Sequence, residues 1–159
     1  MLEEYEKKRD FRKTSEPPVS REEKSSDKPI FVVQRHDATN LHYDFRLEMD
    51  GVLKSWAVPK EPPKNAGTKR LAIETEDHPL GYADFEGEIP EGQYGAGRVE
   101  IWDSGTFELL KRNEKEIIVT LHGEELEGDY VLIKTKYGKE DKGWLFFKKK
   151  SIKPIEKYC

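Results

Sequence analysis

Between Gln34 and Glu48 the chain reads QRHDATNLHYDFRLE, which sets two imidazoles, a carboxylate and a guanidinium close together. Side chains of a strand alternate faces with a period of two. His42, Asp44, Arg46 and Glu48 therefore share one face, and Tyr43, Phe45, Leu47 and Met49 share the other. The second set is an ordinary core face; the first is not. His36 lies just before the turn-like Asp37-Ala-Thr-Asn40, and a hairpin there brings its ring beside His42 and Asp44. Two imidazoles and one carboxylate can hold a divalent metal and leave positions open for water and substrate. Arg46, two residues further along the same face, suits a bidentate grip on phosphate. Metal, arginine and a further histidine would stabilise the charge that develops on a phosphoryl group under attack.

A His-x-Asp-x-Arg strand also describes a solvent-facing ladder whose surface ion pair contributes little. Taken singly, His36 is more often structural than a ligand. Convergence favours a site, because three of the chain's four histidines fall in this stretch or in His78-Pro79. His122, after an alternating strand and before Gly123, has no such company and reads as structural. In Glu76–Tyr82, EDHPLGY, a proline-fixed turn presents His78, while Tyr82 reads equally well as a ligand contact or a packed turn residue. The glycine-rich Glu88–Val99, EIPEGQYGAGRV, lacks the Walker spacing and a strand-to-helix setting, so it reads as a tight turn.

The elements that must position these groups are short strands. Runs at Ile30–Arg35, His42–Met49, Val52–Val58, Arg70–Thr75, Arg98–Trp102, Thr106–Leu110, Glu116–Leu121, Asp129–Thr135 and Trp144–Lys148 have β character. Asp50-Gly51, Ser104-Gly105, Glu127-Gly128 and Lys142-Gly143 punctuate them as turns. The spacing predicts a mainly β fold, an antiparallel barrel or sandwich, with a short flanking helix and an extended N-terminal arm. Residues 1–28 form the arm, partly mobile and contributing to the site, and residues 29–159 form a single domain. Helix is expected only in 1–13 and 111–116, and the loop Lys60–Lys69 is expected to be exposed.

Composition narrows the partners. At 159 residues the chain can bury one core around a site. Its net charge of −4 argues against a protein that coats long duplexes, which gains affinity by neutralising many phosphates. A nucleic-acid partner would be held at a short end by a few local cations. No apolar run reaches the roughly 20 residues of a membrane helix, the N-terminus lacks a signal-peptide core, and the one cysteine is Cys159. A cytoplasmic monomer with no membrane association is the expectation.

The chain also resembles a known family, the 3′-phosphoesterase domain found in bacterial DNA ligase D and as stand-alone proteins. The resemblance is carried by KRDF at 8–11 with Glu16-Pro17, by FVVQRHDATNLHYDFRLEMDGVLKSWAVPK at 31–60, by EDHPLGYADFEGEIPEGQYGAGRVEIWDSGTFE at 76–108, and by GWLFFKK near the end. It implies an enzyme built on a small closed antiparallel β-barrel, usually manganese-dependent, with Zn²⁺ or Co²⁺ possible on the same ligands. Such an enzyme removes a 3′-terminal ribonucleoside from a primer-template, then the 3′-phosphate, and leaves a 3′-OH for repair synthesis or ligation. Carried over by motif, His36, His42 and Asp44 match metal ligands, and Arg46, His78 and Tyr82 match groups around the scissile phosphate. Arg9, Asp10 and Glu16 match arm positions that support activity. Thr14-Ser15-Glu16-Pro17 departs from the family's usual Thr-Pro-Glu-Pro. The chain ends soon after Lys153-Pro154, so a ligase and polymerase are expected as separately encoded partners.

Two rival classes remain at this level. His42, Asp44 and His78 have the pattern of the facial triad of a non-haem iron oxygenase, though that leaves His36 and Arg46 without a task. A non-catalytic module that binds nucleic-acid ends around a structural metal is the other.

Overall fold

The computed structural model describes residues 2–18, 28–136 and 139–150. The middle of the expected arm (19–27) and the C-terminal Lys153-Pro154 lie outside the described residues. The first helix, α1, spans Glu3–Lys7, and nine strands follow. These are β1 (Ile30–Asp37), β2 (Leu41–Met49), β3 (Val52–Val58), β4 (Lys69–His78), β5 (Gly87–Ile89), β6 (Gly97–Arg112), β7 (Glu116–His122), β8 (Glu127–Lys134) and β9 (Gly143–Lys148). The order β1-β2-β3-β4-β9-β8-β7-β6, closed by β1 pairing with β6, makes an antiparallel barrel, and short β5 adds to β6.

Alternation explains the barrel interior. Phe31, Val33, Phe45, Leu47, Trp56, Phe107, Val119, Leu132 and Phe146 are all buried in one core cluster. Phe45 sits at its centre, stacked on Phe146 at 4.6 Å and in ring contact with Phe31 and Trp56. An eight-stranded barrel has an interior just wide enough for side chains to fill it. Phe45→Ala would therefore leave a void that the rigid wall cannot close, at a cost of about 3–5 kcal/mol. Urea unfolding would read this as a lower midpoint with an unchanged slope.

A second, smaller cluster lies on the outside of the wall. Val32 of β1 and Leu53 of β3 meet Tyr5 of the arm and Tyr82, Ala83 and Phe85 of the 3₁₀ segment Leu80–Asp84 and its cap. The polar face of β2 is thus not solvent-facing, because the arm and the 3₁₀ segment cover much of it.

The expected barrel, flanking helix and strand positions agree with the structure, and four local expectations do not. Glu127-Gly128 is no turn: it opens β8 and pairs with His122 and Leu121 of β7. Ser104-Gly105 is no turn: β6 runs unbroken through it, and Gly105 is there because a Cβ would run into the carbonyl oxygen of His122 on β7. Residues 111–116 are not helical, since Asn113 Oδ1 accepts from the backbone N–H groups of Lys115 and Glu116 and so closes a turn between β6 and β7. The N-terminal helix stops at Lys7, and Asp10 Oδ1 accepts from the Arg12 N–H two residues on, offering the backbone a turn instead. In the Lys60–Lys69 loop most residues are exposed, but Pro62 and Pro63 are buried and the Pro63 carbonyl accepts from Tyr130.

Candidate active site

The β1–β2 hairpin sets the metal-ligand geometry. His36 and His42 are register partners across it, with ring centroids 4.8 Å apart. His42 Nε2 lies 3.3 Å and His36 Nδ1 3.6 Å from the same Asp44 oxygen. Ligand atoms about 2.1 Å from one ion lie roughly 3.0–3.5 Å apart, so this spacing fits a shared metal. The outer nitrogens are also satisfied. His36 Nε2 lies 2.6 Å from the Gly95 carbonyl, and His42 Nδ1 lies 3.0 Å from the Asn40 carbonyl. If each of these nitrogens carries the proton and donates, the lone pairs of His36 Nδ1 and His42 Nε2 are left facing Asp44, as metal-binding histidines require. Among the described residues this trio is the one group of three or more such side chains placed to hold a metal. Its chemistry accepts Mn²⁺, Zn²⁺ or Co²⁺.

Gly95 reaches its place through a backbone φ of +75°, the left-handed region that favours glycine. The glycine-rich loop is thus a tight turn, and one of its carbonyls holds a candidate ligand.

Arg46, only 3% exposed, is fixed on three sides. Its Nε donates to Gln34 Oε1 at 2.7 Å and one terminal nitrogen donates to Ser55 Oγ at 2.9 Å. The other lies 3.5 Å from Asp44, and the Tyr82 ring lies 4.9 Å from the guanidinium carbon. Burial opposes charge on Asp44, but Arg46 and the two histidines outweigh it and hold its carboxyl well below the usual range. Burial likewise opposes charge on His42, and Asp44 reverses the balance and raises it.

His78 stands between two guanidiniums. Its Nδ1 lies 3.2 Å from Arg46 and 3.0 Å from the Glu76 carbonyl, and its Nε2 lies 3.4 Å from Arg9. Burial, then Arg46 and Arg9, push its pKa well below the ordinary value. His78 is therefore a neutral imidazole, and the positive charge of the site resides on the arginines.

The arm supplies the second guanidinium. Arg9 donates to Glu16 at 2.9 Å and to Glu76 at 2.7 Å, and lies over the Tyr5 ring. Glu16, 2% exposed, also accepts from the Tyr82 hydroxyl at 2.6 Å and from Thr14 at 3.0 Å. A cavity of about 350 Å³ brings together Arg9, His36, His42, Asp44, Arg46, His78 and Tyr82. Glu16 stands behind it, bonded to both Arg9 and Tyr82. Asp10 is not brought there: it pairs with exposed Arg12. His122 pairs with Glu108 on the surface, away from the cavity.

Tyr82→Phe would remove the hydroxyl from Glu16 while keeping the ring against Arg46. The buried carboxylate retains Arg9 and Thr14, so the expected loss is about 1–2 kcal/mol, read by urea unfolding.

Several functional neighbours were not singled out from the sequence. Gln34 is fully buried; it holds Arg46 and donates to the carbonyls of Tyr82 and Phe85. Its signal was a polar residue inside IFVVQR, in period two with His36. Glu76 shares that period with His78 on β4. Ser55 and Tyr5 carried no comparable signal.

With this geometry in place, comparisons with known proteins give a consistent result. The family model described as the DNA ligase D 3′-phosphoesterase domain matches residues 34–134. The multifunctional non-homologous end joining DNA repair protein LigD of Mycobacterium tuberculosis is 53% identical over 135 residues, 82% of this chain. The LigD proteins of Pseudomonas aeruginosa and Mycolicibacterium smegmatis are 48% and 47% identical, each over 94% of this chain. The match occupies 18% of the first two relatives and 20% of the third, so the chain spans about a fifth of their length.

Proposed function

The chain belongs to the DNA ligase D 3′-phosphoesterase domain family, and from that premise we propose that it heals 3′ ends for non-homologous end joining. In this reading a primer-template is the substrate. The enzyme removes a 3′-terminal ribonucleoside, then the remaining 3′-phosphate, and leaves a 3′-OH that a polymerase or ligase can use. The observation that carries the proposal is one Asp44 oxygen facing His36, His42 and Arg46 inside a single cavity.

His36, His42 and Asp44 would hold the divalent ion, most simply Mn²⁺. When bound, it supplies a Lewis acid next to the scissile phosphate. The chain's own groups do the rest. Arg46, immobilised by Gln34 and Ser55, presents its remaining terminal nitrogen to a phosphoryl oxygen and loses little entropy on binding. Arg9 adds a second cation from the arm, opposite Arg46 across His78. Neutral His78 accepts from Arg9 through a ring nitrogen and so holds that guanidinium beside the cavity without adding charge. Tyr82 acts as a positioning residue, its ring against Arg46 and its hydroxyl tied through Glu16 to Arg9. Asp10 would act at most through the turn that sets the arm's course.

The oxygenase reading lacks support for its third ligand, because guanidiniums approach both His78 nitrogens and their charge would repel a cation there. The deciding experiment is incubation of a labelled primer-template bearing one 3′-terminal ribonucleotide, with and without Mn²⁺ and in the absence of oxygen. A 3′-phosphate product that converts to 3′-OH only with metal supports the proposal. An end that is bound but never altered leaves the non-catalytic module, and product that requires oxygen restores the oxygenase.

A further inference from the structure

Single exposed apolar side chains are common on protein surfaces, so what matters is where one sits. Among the described residues Tyr94 is the one exposed aromatic side chain, at 50%, and it lines the cavity that holds His36, His42, Asp44 and Arg46. The other exposed large apolar side chains, such as Leu71, Leu110 and Ile133, do not line that cavity.

The glycine-rich loop fixes this ring in place. The Gln93 N–H donates to the Pro90 carbonyl and the Ala96 N–H to the Gln93 carbonyl. Tyr94 therefore stands second in a closed turn whose third residue, Gly95, has a φ of +75°. The Gly95 carbonyl lies 2.6 Å from His36 Nε2, so the ring is one residue away from a group that holds a candidate metal ligand. The arm approaches the ring from one side. Lys8 Nζ donates to the Tyr94 hydroxyl at 3.3 Å and lies 4.5 Å from the ring centroid, and the Arg9 guanidinium carbon lies 5.5 Å from it. Glu76 takes Lys8 on one carboxylate oxygen and Arg9 on the other, so both cations come from the same side. The exposure of the ring belongs to its other face.

We propose that this open face of Tyr94 stacks the base of the 3′-terminal nucleoside, so that one cavity holds the scissile phosphate and the nucleoside that leaves. The inference rests on the end-healing reading. Of the two bases that flank the scissile phosphate, the inner one is paired and stacked on both sides within the duplex. The terminal one has a neighbour on one side only, so it is the cheaper to unstack. A tyrosine ring offers every base the same kind of surface, and the subsite should accept all four. Lys8 is a positioning residue here. Its three N–H groups go to Glu4, Glu76 and Tyr94, which pins the ring without touching the base.

Binding in metal-free, low-salt buffer tests it without cleavage. The full chain is titrated, by fluorescence anisotropy, with a 5′-labelled primer-template ending in one ribonucleotide and with the same duplex ending in an abasic ribose. The wild type should bind the base-bearing end about tenfold to a hundredfold tighter, the effect of one base stacked on an aromatic ring. Tyr94→Ala should bind both ends alike, and Tyr94→Phe, which keeps the ring, should restore the preference. Equal binding of the two ends by the wild type, binding of neither, or a preference that survives Tyr94→Ala would overturn the proposal. Incubation of the same ends with Mn²⁺ separates it from the reading it rests on. A Tyr94-dependent preference in a protein that never alters the end would sink end healing and leave the subsite. Cleavage with no preference for the base would sink the subsite alone.

Discussion

Arg46→Lys is expected to lower both phosphoesterase steps by about 10²–10³-fold, although it preserves the charge. The reason lies in how the guanidinium is held. Three of its faces are committed, to Gln34, Ser55 and the Tyr82 ring, and one terminal nitrogen is left toward Asp44 and the cavity. An ammonium cannot span these partners and still reach the phosphate. It would also leave Gln34 Oε1 buried without its donor, at about 1–3 kcal/mol. The two effects separate experimentally. Thermal or urea unfolding reads the second, and phosphate release well below the melting range reads the first. Near-normal phosphate release by Arg46→Lys would remove Arg46 from the phosphate clamp.

The split between what the sequence conveyed and what it hid follows from range. The β1–β2 hairpin was legible because its logic is local: period-two alternation and a short turn suffice to pair His36 with His42. The apolar face of β2 was legible for the same reason. What alternation could not convey is that the polar face of β2 is buried as well. That burial comes from Tyr5 and Glu16 of the arm and from Tyr82, which are distant in sequence and meet only in the fold. Gly105 misled because glycine after serine normally marks a turn. Here it answers a neighbouring backbone on β7, a constraint invisible within β6. The charge state of His78 was hidden likewise, since it depends on two arginines contributed by α1's following turn and by β2.

These contacts also explain how a chain with net charge −4 can address phosphate. Around the cavity, Arg9, Arg46 and Lys8 face three buried carboxylates, Asp44, Glu16 and Glu76. The fixed charges of these groups therefore balance. Bound ions of opposite sign must be nearly matched when buried, because unpaired charge is costly in a poorly solvated cavity. A divalent cation on the His36–His42–Asp44 trio would tip that balance to positive and make the cavity attractive to a phosphoryl anion. Metal and substrate should then bind in a linked order, the first promoting the second.

Asp44→Asn tests that linkage and should carry the second large effect. The amide keeps the shape but loses the charge that both histidines and Arg46 face. For the wild type, Mn²⁺ at one hundred times its dissociation constant should stabilise the fold by about 2.7 kcal/mol, seen as a higher melting temperature. The variant should show no such rise at the same concentration. Its metal-free form should itself melt lower, since a buried guanidinium loses its carboxylate at a cost of about 3 kcal/mol. Phosphate release should fall by about 10³-fold, the worth of several kcal/mol of charge stabilisation. The three readouts distinguish the possible failures. A preserved Mn²⁺ shift would place the ion elsewhere, whereas a lost shift with activity intact would detach the metal from the chemistry.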